Sequence, residues 1–511
     1  MNSSSSHPAT ACAERVRPSL LWAAWWLFAL LTAALTLHHV MWFDEMQAWL
    51  LVRDSPTLAA LFHNLHYEGH PSLWYLLLYP LTRISVHPAA MQLLNYVLAL
   101  AVAALILTAL RQRPLQATLI IFSSILFNEY CTFARSYLLA SLLLLAAVRL
   151  FLADRPRPIL AAICLGLAIN THFLTTPIAL TIAGWFVFFA EGSVARTFVS
   201  RLKSRTTLAL AVLLAVSIVA CYLTVRPAPD LLPLDVNQPS AFGHFCFVAG
   251  RVWRIFFRIP IGHLSPHALT LLDPQFDPSI VATALSALTL LLTLVALRTR
   301  PARIFFAVAF VFAVAVLAMV TLTPEIRHYG FIWVAFIAAM LIDAAQPEVS
   351  GEARATARVA SVTLYLILAQ QCLLTLSVGA KEWRQPISGS LQAAQWIHAH
   401  GLTENPMLIE PSDGPNALLG YLNKTRVWMP GCHCWGSFAH RAMGIDLARP
   451  ATPADIAAAG AGSTLPVLVV ANFPLDPAAQ HELGVQFLFA SSPQAIKRTD
   501  NFFLYGQIAK P

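Results

Sequence analysis

Charge is what this chain has least of. Only 11% of its 511 residues are Asp, Glu, Lys or Arg, against 58% hydrophobic, where an ordinary soluble protein carries about 25% charged residues. That shortage excludes a soluble globular protein and leaves a polytopic membrane protein, long enough for a large membrane domain and one further domain. Paired cysteines are also missing. Eight cysteines are scattered with no C-x-x-C, and Cys164, Cys221 and Cys372 lie inside apolar segments. The one close pair is Cys432-His433-Cys434. A disulfide across a single residue is strained, and two cysteines with one histidine fall short of a structural zinc site. Pairing of one of them with Cys246 stays open. No glycine-rich phosphate loop is present, so no nucleotide site is expected, and no internal repeat is visible, which counts against a repeat-built transporter. The net charge of +8 would suggest nucleic acid in a soluble protein. Here it falls mostly in short loops between apolar runs, which is a topology signal, and no nucleic-acid partner is expected.

Long apolar runs are abundant. A crossing needs about 20 apolar residues, and eleven stretches qualify: 20–40, 91–110, 115–128, 136–153, 158–171, 174–190, 207–225, 279–297, 304–322, 331–345 and 359–378. The third and fifth are short, as spans are when they end at a cavity within the protein. The first follows Arg15 and Arg17 and has no small-residue cleavage site behind it, so it reads as a retained span rather than a signal peptide. Residues 1–19 then form a cytoplasmic, serine-rich, disordered tail. Basic residues recur in alternate loops (Arg111 and Arg113, Arg155 and Arg157, Arg196 to Arg205, Arg298 to Arg303, Arg354 and Arg358). These loops are assigned to the cytoplasm. The loop 41–90, the turn 127–137, the loop 226–278, the turn 323–330 and the tail 379–511 then lie outside. The tail alternates short helices (388–400, 414–422, 476–483) with strands (406–411, 425–430, 464–473, 485–491, 501–509), as in a small α/β domain. Asn423-Lys424-Thr425 is a glycosylation sequon, relevant only in a eukaryotic secretory setting.

Chemistry gathers at the outer ends. Asp44 and Glu45 follow the first span, among Trp42, Phe43 and Trp49. A solvated helix cap is the bland reading. Adjacent carboxylates shielded by aromatics are costly unless a cation, metal or substrate hydroxyl engages them, and a tuned carboxylate is what a general base needs. Next comes "LHYEGHPSLWYLLLYPLTRI", too short and proline-broken to cross and suited to an interfacial helix. His63, His66, Glu68 and His70 precede its apolar part. His66 and His70 are four apart, but Gly69 and Pro71 argue against one helix, so substrate hydrogen bonding is favoured over a metal. Glu129, Arg135 and Tyr137 lie in "NEYCTFARSY" between two apolar runs, where an ion pair or a phosphate-binding guanidinium is expected. Arg327 and His328 in "EIRHYG" offer the same chemistry, Asn170 and His172 in "INTHF" a weaker version. Arg251, Arg254 and Arg258 in "RVWRIFFRIP" suit anionic lipid at least as well as a substrate.

The order of these motifs resembles the GT-C superfamily of polytopic glycosyltransferases, especially the branch with protein O-mannosyltransferases and the lipid A aminoarabinose transferase. The resemblance rests on "FDE" after the first span, "EGHPSLWYLLLYPL" as interfacial helix, "FARSYLL" leading the fourth span, "RHYG" leading the tenth and an outer α/β tail. It covers about residues 20–380. It departs from the family where a tyrosine often follows the acids; here Met46-Gln47-Ala48-Trp49 stands. The resemblance implies a polyprenyl-phosphate sugar donor, Asp44 as catalytic base with Glu45 in support, and Arg135, Arg327 and His328 on the donor phosphate. His66, Glu68, His70, Glu129 and Tyr137 would bind substrate.

The reading is therefore a GT-C-like α-helical membrane protein of about eleven spans (20–378), with a small extracytoplasmic α/β domain (379–511). Its expected activity is inverting transfer of a sugar from a polyprenyl phosphate to a lipid, glycan or protein acceptor. The expected setting is a bacterial inner membrane, with the site facing the periplasm. No cofactor is required by the residues, no metal ligands are assigned, and a divalent metal stays open. A transporter of a lipid or small polar solute is the alternative.

Overall fold

The structure is a computed structural model. It describes residues 18–189, 204–231, 241–257, 280–320, 325–346, 354–412, 414, 416–442, 445–491 and 495–508. The N-terminal tail, the basic residues Arg196, Arg201 and Lys203, most of the loop 226–278 and Arg258 lie outside the described residues.

Six described helices are long and apolar enough to cross a membrane: Ser19–His38, Ala89–Ala109, Arg205–Val225, Arg300–Val320, Ile326–Ala345 and Ala355–Arg384. They make the chain an integral membrane protein. Four shorter apolar helices join them: Ser136–Phe151, Pro158–Thr171, Phe173–Phe189 and Val281–Ala296. The expected third span is different in kind. Helix Pro114–Ile121 stops after eight residues, and a π-helical turn, Ile125–Tyr130, follows. Polar side chains occupy the break. Ser123 Oγ accepts from Trp333 Nε1 at 2.9 Å, and Thr375 Oγ1 donates to the Phe122 carbonyl at 2.6 Å. Such satisfaction inside protein is what non-helical backbone at membrane depth requires.

In chain order the outer part begins with α1 (Pro18–His38), then α2 (Phe43–Arg53), α3 (Leu58–Leu65) and α4 (Leu73–Ile84). α4 covers the segment expected to lie at the membrane interface, and Pro80 is inside it. The helix Ile326–Ala345 is the hub of the membrane part. It is buried over 83% of its apolar window, as a helix apolar on all sides must be. Gly330 lets it approach the π-helical turn, because a Cβ there would run into Tyr130 and Ile125. The last membrane helix, Arg354–Arg384, has 31 residues, about 46 Å at 1.5 Å per residue. That exceeds a hydrocarbon core of about 30 Å.

At one end of the bundle Asp343 accepts from the Arg298 and Thr299 amides at 3.0 and 2.7 Å and meets Arg113 at 3.5 Å. Two of the basic loops, those holding Arg113 and Arg298, therefore meet at this end. At the other end the outer loop, residues 130–135, residues 226–231, the turn before Arg327 and the tail meet.

The tail holds a six-stranded mixed sheet in the order β3-β2-β1-β4-β6-β5. β1 (Met407–Glu410) pairs parallel with β2 (Val427–Met429) and β4 (Leu468–Ala471). β3 (Cys434–Gly436), β5 (Val485–Ala490) and β6 (Phe503–Gln507) run antiparallel to their neighbours. Three residues of β3 and the Ala-rich helix Pro453–Gly460 went unforeseen because neither carries an apolar period. The expectation against a C-x-C bond is corrected: Cys432 and Cys434 are joined, and Cys246 is free. His433 takes a left-handed φ of 49°, and the two Cα atoms stand 5.1 Å apart, within the usual disulfide range.

The tail is seated on the outer loop through one apolar cluster, which joins Met46, Trp49 and Trp74 to Leu418, Met429 and Leu504. Polar ties frame it. The Met41 amide donates to Tyr421 Oη at 2.9 Å, and Ser390 Oγ donates to the Met41 carbonyl at 3.1 Å.

Candidate active site

The two adjacent acids sit in the first turn of α2, where carboxylates favour the positive end of the helix dipole. Neighbours on an α-helix project about 100° apart, and the pair divides accordingly. Glu45 turns inward and is fully buried. Its Oε1 accepts from the Ala134 amide at 2.7 Å, and its Oε2 contacts His39 Nε2 at 2.8 Å. His39 Nδ1 in turn contacts Glu382 Oε1 at 2.8 Å, in the last turn of the helix Arg354–Arg384. Burial alone would lower the His39 pKa, but the two carboxylates outweigh it and raise it to about 10, so the ring is an imidazolium. Glu45 is thus the knot that ties α1, α2, the 131–135 loop and the last membrane helix together. Its full burial keeps it from solvent.

Asp44 turns the other way, and its side chain stays 28% exposed. Oδ2 accepts from Arg327 Nη2 at 2.5 Å. Arg135 donates to the Asp44 carbonyl. Burial pushes the Asp44 carboxyl up, but Arg327 and Arg135, helped by Lys497, hold it below its ordinary value. Oδ1 takes no hydrogen bond among the described residues. The two guanidiniums come from separate elements. Arg135 precedes the helix Ser136–Phe151, and Arg327 opens the hub helix. Asn95 fixes the loop before Arg135 by donating from Nδ2 to the Tyr130, Cys131 and Phe133 carbonyls at 3.1, 2.9 and 3.3 Å. Tyr130 Oη donates to the Arg327 carbonyl at 2.8 Å.

Around this centre stands a wall of aromatic rings. His70 Nδ1 donates to the Glu68 carbonyl at 2.9 Å, which leaves Nε2 to accept from Arg135 Nη2 at 3.3 Å. Burial and the Arg135 charge lower the His70 pKa to about 3. His172 lies 5.9 Å from the His70 ring and 4.8 Å from Tyr137, and Tyr137 lies 6.0 Å from His328. His328 Nδ1 accepts from the Glu325 amide at 2.9 Å.

Of the expected site residues, Asp44, Arg135, Arg327, His70, Tyr137 and His328 come together. Glu68 stands one layer behind, held at 2.5 Å by Gln47 Nε2, and burial raises its pKa. Gln47 also exchanges bonds with the Ala439 backbone at 2.9 and 3.0 Å, which ties Glu68 to the tail. Glu129 is half-buried on the π-helical turn. His66 has a structural partner. It donates to the Arg226 carbonyl at 2.9 Å and so ties the outer loop to the segment 226–231. Asn170 bridges two helices through the Gly166 and Ser217 carbonyls, both at 2.9 Å. Arg251 stacks over Phe247 at 3.7 Å.

Two tail residues escaped the sequence reading. Lys497 lies 4.1 Å from the Trp42 ring, which also faces Arg327 at 4.9 Å, and it pairs with Glu325 at 3.3 Å. Asp500 Oδ2 accepts from the Phe43 amide at 2.9 Å, and so caps the helix that carries both acids. Nothing in "IKRTDN" sets these residues apart from any polar turn. Among the described residues no group of three or more His, Cys, Asp or Glu is placed to hold a metal ion.

No family model matches the chain, and no curated protein matches it. Among solved structures, the arabinofuranosyltransferase AftD from mycobacteria aligns with 15% identity and a TM-score of 0.43, over 98% of this chain and 40% of that one. The chain thus spans 40% of the length of that protein, and a likeness this distant assigns nothing to the site.

Proposed function

We propose that the chain is a membrane glycosyltransferase that moves a sugar from a polyprenyl phosphate to an acceptor at the outer face of the membrane. The supporting observation is the Asp44 centre: a partly exposed carboxylate set between two buried guanidiniums, at the end of the bundle where the outer loops meet. The guanidiniums of Arg135 and Arg327 suit a phosphate, which they can fork onto. The groove of about 300 Å³ lined by Leu180, Trp185, Phe188, Phe305 and Phe312 suits an isoprenoid tail.

In this reaction Asp44 takes the proton of the acceptor hydroxyl. The acceptor oxygen bonds to the anomeric carbon on the face opposite the phosphate. The bond from that carbon to the phosphate oxygen breaks, its electron pair leaves with the polyprenyl phosphate, and configuration inverts. Arg135 and Arg327 stabilise the leaving phosphate, an effect worth about 3–4 kcal/mol by analogy with an oxyanion donor. Without donor, Arg327 holds Asp44 ionised but weakly basic. A phosphate that draws Arg327 to itself raises the basicity of Asp44 as the acceptor arrives.

The test is to incubate the purified chain with polyprenyl-phosphate sugars and membrane extract, and to read the anomeric configuration of the product by NMR. The reading predicts consumption of a donor and an inverted product. Retained configuration removes the single-displacement mechanism, and no consumption of any donor favours a transporter.

A further inference from the structure

The hub helix starts at Arg327, beside Asp44, and reaches Asp343 near its other end, where the Arg298 and Thr299 amides meet it. A cavity of about 500 Å³ opens close by, lined by Leu294, Val295, Arg303, Ala355, Thr356 and Val359. It lies between three helices: Ile280–Ala296, Arg300–Val320 and Arg354–Arg384. Arg303 is its one charged wall. Its Nε donates to the Leu294 and Leu297 carbonyls at 3.1 and 2.7 Å, which are carbonyls a helix leaves open at its C-terminus. Those two bonds hold the guanidinium in place. No further hydrogen bond or ion pair engages it among the described residues. A helix cap needs only the Nε bonds and does not account for a cavity beside the rest of the group.

The surroundings say what fits there. Arg300 lies one turn before Arg303 on the same helix, and Arg358 follows the cavity residue Ala355 by one turn; both are exposed. Among the described residues no carboxylate pairs with Arg300, Arg303 or Arg358. Below the cavity, exposed apolar side chains continue along two of its helices. Val359, Val362 and Leu366 share one helix face, and Leu288 and Leu291 lead up to Leu294 on the other. A small hydrated anion would have no use for these stripes. A phosphate that carries acyl chains would use both the arginine and the stripes.

We propose that this cavity binds the headgroup phosphate of an anionic phospholipid, with its acyl chains lying along the two apolar stripes. Arg303 forks onto the phosphate oxygens, and the Thr356 hydroxyl supplies a further donor. Basic pockets between membrane helices take anionic headgroups in this way. Three arginines without a matching acid repel the ammonium of a zwitterionic headgroup, so the lipid is selected by net charge. The proposal stands on the membrane architecture and does not depend on the glycosyltransferase reading.

The experiment uses the full chain, stripped of lipid in detergent, and reads bound lipid by native mass spectrometry. The probes are short-chain phosphatidylglycerol and phosphatidylcholine with identical chains. Wild type should bind phosphatidylglycerol at least about tenfold more tightly. Arg303→Gln should lose about tenfold in that affinity, the worth of a hydrogen bond to a charged group. Because Arg303 also caps a helix, its unfolding temperature is measured alongside. Ala355→Phe fills the cavity, removes no arginine and should abolish the preference on a normally folded protein. Arg111→Gln, which removes an exposed charge in another basic loop, should change nothing. Glycerol phosphate, which has no chains, should not displace the lipid. Equal affinity of wild type for the two lipids overturns the site, as does a preference that survives Ala355→Phe. Equal losses in Arg111→Gln and Arg303→Gln overturn it in favour of diffuse surface charge, and displacement by glycerol phosphate overturns the lipid as occupant.

Discussion

Asp44 and Glu45 are neighbours in sequence with opposite surroundings, and the contrast yields the first prediction. Glu45→Ala strips the imidazolium of His39 of one carboxylate in a fully buried place. Breaking a buried pair in this way costs about 3–5 kcal/mol, so thermal unfolding in detergent should shift markedly downward. Asp44→Asn removes no buried knot and should leave the unfolding temperature nearly unchanged. Arg327 carries the second prediction. Its charge lowers the Asp44 pKa, so Arg327→Gln lets that pKa rise. The acid limb of the kcat/KM profile then moves to higher pH, whereas loss of a merely structural arginine would scale the profile without moving it. The residues legible in the sequence were those whose charge stood out against an apolar background: Asp44, Arg135 and Arg327. Their division of labour was not legible, because it depends on which face of α2 each acid takes. Asn95, Lys497 and Asp500 were hidden for another reason. Each acts through a contact formed only on folding, from a segment with nothing unusual in it.

Helices and turns position the chemistry more than loops do. The π-helical turn Ile125–Tyr130 and the hub helix touch at Gly330, and Tyr130 carries that contact to the Arg327 carbonyl. Gly330→Ala forces a methyl against the fully buried Tyr130. Overpacking of this kind costs about 1–3 kcal/mol, and the displaced Arg327 should raise KM for the donor. A variant with lowered stability but unaltered KM would separate that packing from the site. The N-terminus of α2 gives a pH prediction. Burial raises the Asp500 carboxyl to about 7, from an ordinary value near 4. Between those values the folded chain holds a proton that the unfolded chain has lost, so stability falls as pH rises through the window. Asp500→Asn keeps an acceptor for the Phe43 amide and should flatten that slope, as read from unfolding temperatures across about pH 4–7. The span pattern itself was legible because about 20 apolar residues in a row have few other fates. The broken third segment was legible only as a short run; that it ends in a π-helical turn depends on Ser123, Thr375 and Trp333 meeting in space.

At the scale of the whole molecule the tail is part of the site's construction. Its Asp500 caps the acid helix, its Lys497 stands over Trp42, its Tyr421 holds Met41, and its Ala439 backbone grips Gln47. The alternation of strands and helices in the tail could be read from sequence, since buried β-branched runs such as "LPVLVV" announce themselves. Where the tail docks could not, because the docking surface is an ordinary apolar face shared between two distant segments. All of these contacts converge on one carboxylate. The most direct test follows release of sugar from a polyprenyl-phosphate donor by wild type and by Asp44→Asn, side by side, with donor binding measured on both. The account predicts that Asp44→Asn still binds the donor and that its turnover falls about 10²–10⁴-fold, the usual reach of general-base catalysis. Equal turnover by the two proteins would contradict it and leave Asp44 as a partner of Arg327 alone.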